Sequence, residues 1–457
     1  MSEDGFPYKG IMKEDLSGKT AVCFTNDLWS SALTELRLKA PLEQSGFHVV
    51  QGNDFDKLLV EDLSKADFVV IQRDFPLYID NFFHVLKQVK LNKLPLVYDI
   101  DDNLFELPAD HKDQDHYSGR YVPMLWAIWN ADMVTVSTEA LAGFLMPFNN
   151  KIHVLKNYLV DKYWHFSPVK RDKDERDGVV IGYIGGTTHA ADLKMIAEAL
   201  RLIGQEYGSM VRFKFWGALP PQEILNHPYV DWQPVVSDYQ EYATAFQTQD
   251  IDILIAPLID SPFSQSKSHV KFLEYSTLGV PGVYSNVTPY QHVVTHGENG
   301  FLAASQDEWI QCLRSLISSP SLRSRLAQNA QEAVKRDWLL SKNAHKWSEL
   351  YCDLSADGAE GYNDSSKPSE AMDAALRNIL SVQAIQIEKL LVQKRGLAEM
   401  EQLVQSLSAQ LAEKDSQLSA IYNSSAWRMI QPLRRMLERS HGTWLERLWF
   451  FVKSKIR

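Results

Sequence analysis

Short runs of β-branched and aromatic residues recur along most of the chain, in two successive groups separated by a charged stretch. Within each run the apolar residues are continuous rather than alternating, which is typical of strands buried on both faces of a parallel sheet. Amphipathic helical patterns fill the gaps, so each group predicts a doubly wound α/β domain. The runs are TAVCFT, FHVVQG, DFVVIQ, LPLVYDI, DMVTVS and KIHVL, followed by VVIGYIG, VRFKFWG, IDILIAP and VPGVYS.

The two groups predict two tandem Rossmann-like domains that face a cleft. Open α/β sheets bind ligands at the carboxyl ends of their strands, so the cleft is the expected ligand site. The composition becomes polar after residue 353, and a long helical pattern follows. The predicted boundaries are 1–158 for the first domain, 159–178 for a connector, 179–353 for the second domain, 354–370 for a linker, 371–422 for a coiled coil and 423–457 for a tail.

The coiled-coil prediction rests on a heptad repeat. Leucine or valine recurs every seven residues and further apolar residues lie three positions later, which is the a/d pattern of a coiled coil. Self-association or a partner helix is therefore expected, and the alternative is one helix packed on the globular body. The repeat consists of Leu390, Leu397, Val404, Leu411 and Leu418, with Met400, Leu407 and Ile421 at the second set of positions.

The tail from Trp427 onward mixes tryptophan and phenylalanine with arginine and lysine, whereas the whole chain has a net charge of -11. An aromatic and basic segment suits the anionic cytoplasmic face of a membrane, and docking on the protein body is the alternative. The acidic balance argues against a nucleic-acid binder. No stretch is apolar enough to span a bilayer and the N-terminus is polar, so we expect a cytoplasmic protein that is peripheral on the inner face of the membrane.

The stretch FSQSKSHVKFLEYSTLGVPGVYS, residues 263–285, contains the strongest candidates for ligand binding. Lys267, Lys271 and Glu274 are four and three residues apart, which places them on one face of a predicted helix. Ser266 or Ser268 is the predicted N-cap. Two lysines could neutralise a diphosphate, and a carboxylate could accept hydrogen bonds from a ribose diol. An ordinary charged surface helix would have the same spacing.

A second candidate is GYIGGTTHAADL, residues 182–193, in the same half of the chain. A predicted strand ends at Gly185 and Gly186, and a helix is predicted to begin at Thr187 or Thr188. Glycines at this point allow a phosphate to approach the backbone closely, but α/β proteins also use such turns only to change direction. The pattern differs from the G-x-G-x-x-G dinucleotide fingerprint, which disfavours a nicotinamide enzyme.

With these motifs, the second half of the chain resembles the GT-B glycosyltransferases, in particular the retaining group with an E-x7-E element followed by G-x-P-V-V. KFLEYSTLGVPGVYSN resembles the second half of that element, and a subgroup acting on bacterial surface polysaccharides has patterns similar to GTTHAADL, VYDIDDNLFELP and SAWRMIQPLRRM. KWSELY, residues 346–351, is similar to the final helix that returns to the first domain. The resemblance implies that Glu274 binds the donor ribose, that Lys267 and Lys271 serve the diphosphate, and that His189 lies near the phosphates or sugar. The family's first glutamate corresponds to Ser266, which leaves the sugar and the retaining outcome open.

The stretch YDIDDN, residues 98–103, supplies carboxylates from the first domain. In a two-domain enzyme Asp101 or Asp102 would face the cleft and orient an acceptor hydroxyl or accept its proton. The alternatives are a metal-binding Asp-x-Asp motif, which the tandem domains disfavour, and a helix cap with turn carboxylates. Arg73 ends the preceding predicted strand and either reaches the cleft or pairs with an aspartate, while Asn26 and Asp27 are weaker candidates.

These observations predict a glycosyltransferase that moves a sugar from a nucleotide-diphosphate donor to a hydroxyl of a bacterial surface glycan or lipid-linked intermediate. No metal site and no cofactor other than the donor substrate is expected. Gly186, Thr187 and Thr188 would offer donors to the phosphates. The alternatives are a degenerate GT-B module that serves as a coiled-coil scaffold and a nucleotide-sugar epimerase on the same fold.

Overall fold

A computed structural model describes residues 18–75, 79–108, 111–169, 178–352 and 354, and helical positions at 392, 395–397, 399–417 and 419. The chain divides into two compact units, Met1–Leu380 and Ser381–Arg457. The N-terminal segment, nearly all of the predicted linker and the whole basic tail lie outside the described residues.

The first domain is built on a parallel sheet of six strands, flanked by a short antiparallel pair. The sheet order is β2-β1-β5-β6-β7-β8, and every residue of β5, β6 and β7 is buried. The continuous apolar runs therefore predicted this sheet correctly. The strands are β1 (Thr20–Phe24), β2 (His48–Gln51), β3 (Asn53–Asp54), β4 (Lys57–Leu58), β5 (Phe68–Gln72), β6 (Leu96–Ile100), β7 (Met133–Val136) and β8 (Ile152–Val154).

Helices cover both faces of this sheet. Cys23 of β1 packs in one core and its neighbour Phe24 packs in the other, as the alternation of side chains along a strand requires. A π-helical turn, Glu35–Lys39, joins the first two helices just before Pro41, whose ring and missing N–H disfavour regular helix there. The helices are α1 (Ala32–Thr34), α2 (Ala40–Gln44), α3 (Ile79–Leu91), α4 (Gln114–Ser118), α5 (Tyr121–Asn130) and α6 (Glu139–Leu145).

The second domain repeats the plan with another six-stranded parallel sheet, in the order β11-β10-β9-β12-β13-β14. Four of its strands coincide with the predicted runs. The edge strands β11 and β14 were not among those runs: the residues of β11 are half-buried or exposed and form no continuous apolar run, and β14 has only three residues. The strands are β9 (Val179–Gly185), β10 (Val211–Gly217), β11 (Val230–Gln233), β12 (Ile253–Ala256), β13 (Gly282–Ser285) and β14 (Phe301–Ala303).

The helices of the second domain include the long pair α13 and α14, which closes the domain. Ser305 begins α13 with a capping box in which its hydroxyl and the Glu308 carboxylate satisfy each other's backbone N–H groups. The helices are α7 (Ala190–Met195), α8 (Ala197–Tyr207), α9 (Tyr239–Gln247), α10 (Pro262–Gln265), α11 (Val270–Thr277), α12 (Thr288–Gln291), α13 (Gln306–Ser318) and α14 (Pro320–Asp337).

After α14 the chain returns to the first domain. Two short helices, α15 (Leu340–Asn343) and α16 (His345–Cys352), lie against α2. The Tyr351 ring centroid is 5.2 Å from that of Phe68, and the Ser45 hydroxyl donates to the Ala344 carbonyl over 2.7 Å. These contacts join the chain's return segment to the first sheet and hold the two domains as one unit.

The described part of the second unit is helical and exposed. Leu397, Met400, Val404, Leu407 and Leu411 are 54% to 67% exposed, so the apolar heptad positions of this helix are uncovered in the single chain. These five heptad positions thus lie on helix, whereas Leu390, Leu418 and Ile421 lie outside the described residues, and the pairing of the helix stays a prediction. Among the described residues, no helix combines the length and apolarity that a membrane span requires.

Candidate functional site

A cavity of about 380 Å³ lies where the carboxyl ends of the two sheets meet. Both domains line it, and most of the predicted site residues lie there. Thr187 and Thr188 are outside its lining, and so are Asn26 and Asp27. The predicted residues in the lining are Arg73, Asp101, Asp102, Gly185, Gly186, His189, Lys267, Lys271 and Glu274.

The predicted helix through residues 267–274 is wrong in its first turn. The helix α10 ends before Ser266, and α11 begins only at Val270, with His269 at its N-cap position and no side-chain cap. Lys267 therefore lies in the turn between the helices, and only Lys271 and Glu274 share the helix face. Neither predicted cap serves α11, because the Ser266 hydroxyl donates back to the Phe263 carbonyl and the Ser268 hydroxyl accepts from Asn157.

Ser266 also joins the two domains. It is buried, its hydroxyl accepts from the Asn103 backbone N–H over 3.2 Å, and its carbonyl accepts from the Thr138 hydroxyl over 2.8 Å. The side chain at this position is therefore directed at the first domain and not into the cavity lining.

Lys267 forms an ion pair across the cleft. Its Nζ lies 3.0 Å from Oδ2 of Asp102, and each side chain is 20% exposed. Burial alone would raise the pKa of Asp102, but Lys267 and Arg73 outweigh burial and lower it below the ordinary value. Asp102 is therefore an ionised partner of Lys267, and the pair links the predicted donor side of the cleft to the predicted acceptor side.

Lys271, His189 and Asp192 form a chain of hydrogen bonds beside that pair. His189 Nδ1 lies 2.7 Å from Asp192 Oδ2, and its Nε2 lies 3.1 Å from Lys271 Nζ. Burial and the lysine lower the pKa of His189 to about 4, so the imidazole is neutral at pH 7. With Nδ1–H donating to Asp192, Nε2 accepts from the Lys271 ammonium and orients it.

Burial and the nearby Lys267 lower the pKa of Lys271 to about 8. A buried cation without a carboxylate in direct contact is costly to the free protein, and an anionic ligand would relieve that cost. A Cβ added at Gly185 would lie 2.5 Å from the Tyr183 hydroxyl oxygen and 3.0 Å from Lys271 Cε. A side chain at Gly185 would therefore collide with Tyr183 and crowd the lysine.

The turn after β9 is built on glycine. A Cβ at Gly217, whose φ is +88°, would lie 2.1 Å from the Gly185 carbonyl oxygen, so the two backbones approach each other where no larger residue fits.

A 3₁₀ turn, Thr187–His189, precedes α7, so helical geometry begins at Thr187 as predicted. The Thr187 hydroxyl accepts from Lys112 Nζ of the first domain over 2.5 Å.

Glu274 is only 6% exposed and is held by two tyrosines of α9. The Tyr239 and Tyr242 hydroxyls donate to its Oε1 and Oε2 over 3.2 and 3.1 Å. Burial raises the pKa of Glu274 to about 7. The sequence analysis missed these tyrosines, although their i, i+3 spacing in DYQEYATAF places both on one helix face.

Among the aspartates of the first domain, Asp101 lines the cavity and Asp99 does not. Burial raises the pKa of Asp101 to about 6. Asp99 lies in the core, where Arg37 Nη2 approaches its Oδ2 to 2.7 Å and the Thr135 hydroxyl donates to the same oxygen. Asp99 therefore stabilises the fold and has no place in the site.

Part of the second domain and the fold of the two domains are similar to known proteins. Residues 178–319 match the family model described as glycosyl transferases group 1. TuaH of Bacillus subtilis (strain 168), whose name assigns it to teichuronic acid biosynthesis as a glycosyltransferase, is 28% identical over 205 residues, or 39% of this chain. The matched part spans about half, 49%, of the length of TuaH.

Two solved structures have the same fold over about three-quarters of this chain. Sucrose-phosphate synthase from Thermosynechococcus elongatus has a TM-score of 0.52 at 13% identity. The superposition covers 74% of this chain and 99% of the synthase. Anabaena HepE in complex with UDP-glucose has a TM-score of 0.51 at 14% identity. The superposition covers 73% of this chain and 100% of HepE. The two parallel-sheet domains therefore form a GT-B fold.

Proposed function

We propose that the protein transfers a sugar from a nucleotide-diphosphate sugar to a hydroxyl of a bacterial surface glycan or lipid-linked intermediate, because residues 178–319 match the glycosyl transferases group 1 model and lie within a GT-B fold. The observation that carries this proposal is the cavity between the two domains, where two lysines and a carboxylate of one domain face two aspartates of the other. The relationship to TuaH favours a cell-surface polysaccharide as the product.

The donor would lie against the second domain. Lys267 and Lys271 would neutralise the diphosphate, and the backbone at Gly185 and Gly186 leaves room for it. The Glu274 carboxylate would accept from the ribose diol, as it accepts from tyrosine hydroxyls in the free protein. Thr187 and Thr188 would contribute only if the bound donor extends beyond the cavity lining.

In the transfer step the bond between the anomeric carbon and the donor phosphate oxygen breaks, and the acceptor oxygen forms the new bond to that carbon. The leaving diphosphate gains negative charge, which Lys267 and Lys271 would stabilise without a metal ion. His189 would keep Lys271 directed at that charge. Asp101, or the leaving phosphate itself, would receive the acceptor proton. We propose a retaining outcome on the resemblance to the E-x7-E group.

Calorimetric titration and thermal shift with UDP, GDP, dTDP, CMP and adenine nucleotides test the donor site. A ligand that binds only the folded state raises its apparent stability. We expect one nucleoside diphosphate to bind the wild type and to bind Lys267→Ala and Glu274→Ala more weakly. Lys194→Ala is the matched control, because Lys194 is exposed on α7 outside the cavity lining. UDP is the first ligand to test, since HepE was solved with UDP-glucose.

If no nucleotide binds the folded wild type, the scaffold alternative takes first place. The exposed heptad helix favours that second function, because an uncovered apolar stripe needs a second copy or a partner helix. The basic tail, which lies outside the described residues, is proposed to bind anionic membranes. Deletion of residues 427–457 should then abolish flotation of the protein with anionic liposomes, and unchanged flotation would exclude that role.

A further inference from the structure

The first sheet has a topological switch point of its own, beside the cavity. Its order β2-β1-β5 means that the chain leaves β1 for one neighbour and later returns to β5 on the other side. Open α/β sheets bind ligands at such a point, outside the carboxyl ends of the two strands. The second sheet follows this rule, because the cavity lining includes Gly185 after β9 and Leu258 after β12. The carboxyl ends of β1 and β5 are therefore a second expected ligand position.

Polar side chains from both strand ends meet at this switch point. Asn26, which follows β1, donates from its side-chain amide to the Asp74 carbonyl beyond β5 over 2.7 Å. Asp27 is the next residue, and Arg73, Asp74 and His116 are close enough to influence its pKa. The two strand ends therefore form one polar group, to which α4 contributes His116.

The carboxylate of Asp27 has no partner in the free protein. In the described part of the chain it accepts no hydrogen bond and forms no ion pair. Asp27 is half-buried, and burial raises its pKa despite the nearby Arg73. Its oxygens are not among the polar atoms sealed from solvent, so a ligand can reach them. A partly desolvated carboxylate without a donor is costly, and a ligand that donates to it would relieve that cost.

The nearby arginine does not supply this donor, because it is engaged elsewhere. Arg73 Nε forms an ion pair with Asp101 Oδ1 over 3.6 Å, and its Nη2 donates to the Tyr117 hydroxyl over 3.0 Å. Its backbone N–H donates to the Asp99 carbonyl over 2.9 Å. Arg73 is therefore held toward Asp101 and the cavity, and Asp27 is left open to a ligand.

His116 offers a second hydrogen-bond acceptor at the same switch point. Its Nε2 lies 2.6 Å from Asp74 Oδ2, and Arg120 Nε lies 3.6 Å from the same oxygen. The Asp74 side chain is 5% exposed, whereas the imidazole is 45% exposed. In the neutral imidazole Nε2–H donates to this buried carboxylate, which leaves Nδ1 as an acceptor on the exposed ring.

Two acceptors at one place restrict the chemistry of the ligand. A phosphate or a carboxylate has no hydrogen for either group, and the charge of Asp27 would repel it. A single hydroxyl group has one hydrogen and can satisfy only one acceptor. Two hydroxyl groups of one sugar ring can donate to both.

We propose that Asp27 and His116 bind two hydroxyl groups of the terminal sugar of the acceptor, with Asp74 positioning the imidazole. This inference rests on the proposed function and adds a recognition subsite that is separate from Asp101 and from the reacting hydroxyl. The acceptor is thereby a glycan end that presents a pair of free hydroxyls, and not a bare lipid phosphate or diphosphate.

Saturation-transfer NMR on the full chain tests this subsite without a donor. The probes are the methyl glycosides of glucose, galactose and N-acetylglucosamine, and ethanolamine represents an ammonium ligand with a single hydroxyl. We expect at least one glycoside to bind the wild type, and Asp27→Asn and His116→Ala to weaken its Kd about fivefold or more. Asp231→Asn, at an exposed aspartate of β11, is the matched control. Absence of binding by every glycoside, or stronger binding of ethanolamine, would overturn the inference.

Urea unfolding and the nucleotide screen separate recognition from other effects. Asp27→Asn removes an unpartnered, partly desolvated charge, so its free energy of unfolding should equal or exceed that of the wild type. A large loss of stability in this variant would assign Asp27 to the fold and contradict the inference. Nucleotide binding without glycoside binding would overturn the inference and leave the proposed function intact. The converse would overturn the proposed function and leave the sugar subsite.

Discussion

Lys271 Nζ lies 3.1 Å from His189 Nε2, and the positive charge of the lysine opposes protonation of the imidazole. The imidazole is neutral at pH 7 and accepts from the ammonium, while burial and Lys267 lower the pKa of the lysine to about 8. The positive charge at this point of the cavity is therefore lost in mildly alkaline solution, unlike that of an exposed lysine.

This relationship predicts a pH dependence of nucleotide binding. As the pH rises above about 8, Lys271 loses its proton and the affinity for the nucleoside diphosphate should fall about tenfold per pH unit. Lys271→Arg should remove that dependence, because arginine stays protonated throughout this range. Calorimetric titrations from neutral to alkaline pH would measure both slopes, with Lys194→Arg as the control. Identical slopes in wild type and Lys271→Arg would assign the titration to another group.

Glu274 predicts a pH-dependent stability. Its ordinary pKa is 4.5 and its folded pKa is about 7, so the folded state binds the proton more tightly. The free energy of unfolding should therefore decrease as the pH rises from about 4.5 to 7. Glu274→Gln should lack this decrease and exceed the wild type in stability above pH 7, by up to ~3 kcal/mol. Urea unfolding at acidic and alkaline pH measures the difference, and the exposed Glu223→Gln serves as control. Parallel pH profiles for wild type and Glu274→Gln would show that burial does not raise the pKa of Glu274.

The ion pair between Lys267 and Asp102 predicts opposite effects of two substitutions. Asp102→Asn removes a negative charge and frees Lys267, so the nucleoside diphosphate should bind about threefold tighter or more. Lys267→Ala should weaken binding. Calorimetry on both variants, with the exposed Asp260→Asn as control, tests the pair. Weaker binding to Asp102→Asn would show that the aspartate positions Lys267 instead of competing with the ligand.

The strands and several site residues could be predicted because their signals are local. A strand buried on both faces produces a continuous apolar run, and Lys271 and Glu274 lie within one helix at i, i+3 spacing. Asp101 and Asp102 directly follow β6, so the sequence predicted that they lie at the carboxyl edge of the sheet.

The remaining features depend on partners that are distant in the sequence. Tyr239 and Tyr242 lie more than 30 residues before Glu274, and no local pattern links them to it. Ser266 was predicted to cap a helix because serine favours that position, but its hydrogen bonds to Asn103 and Phe263 decide its role.

The buried pair of Arg37 and Asp99 predicts a large loss of stability on removal of one partner. Arg37 is 1% exposed, and its Nε and Nη2 donate to the two oxygens of Asp99 over 3.2 and 2.7 Å. Arg37→Met would leave the carboxylate buried without its counter-charge, at a cost of ~3–5 kcal/mol. Urea unfolding measures this loss. The exposed pair of Arg201 and Glu198 offers the control Arg201→Met, which should change little. A loss in Arg37→Met as small as in the control would show that Asp99 becomes protonated or hydrated at little cost.

The exposed heptad positions predict that the protein self-associates through its C-terminal helix. Val404 and Leu411 are 56% and 67% exposed and are separated by seven residues, so a second copy of the helix would bury both. Val404→Glu with Leu411→Glu should convert an oligomer into a monomer, because the charges would enter the seam. Gln402→Glu with Ala409→Glu adds the same charges on the opposite face and should leave the oligomer intact. Light scattering after size-exclusion chromatography measures the mass of each. A monomeric wild type would contradict self-association through this helix.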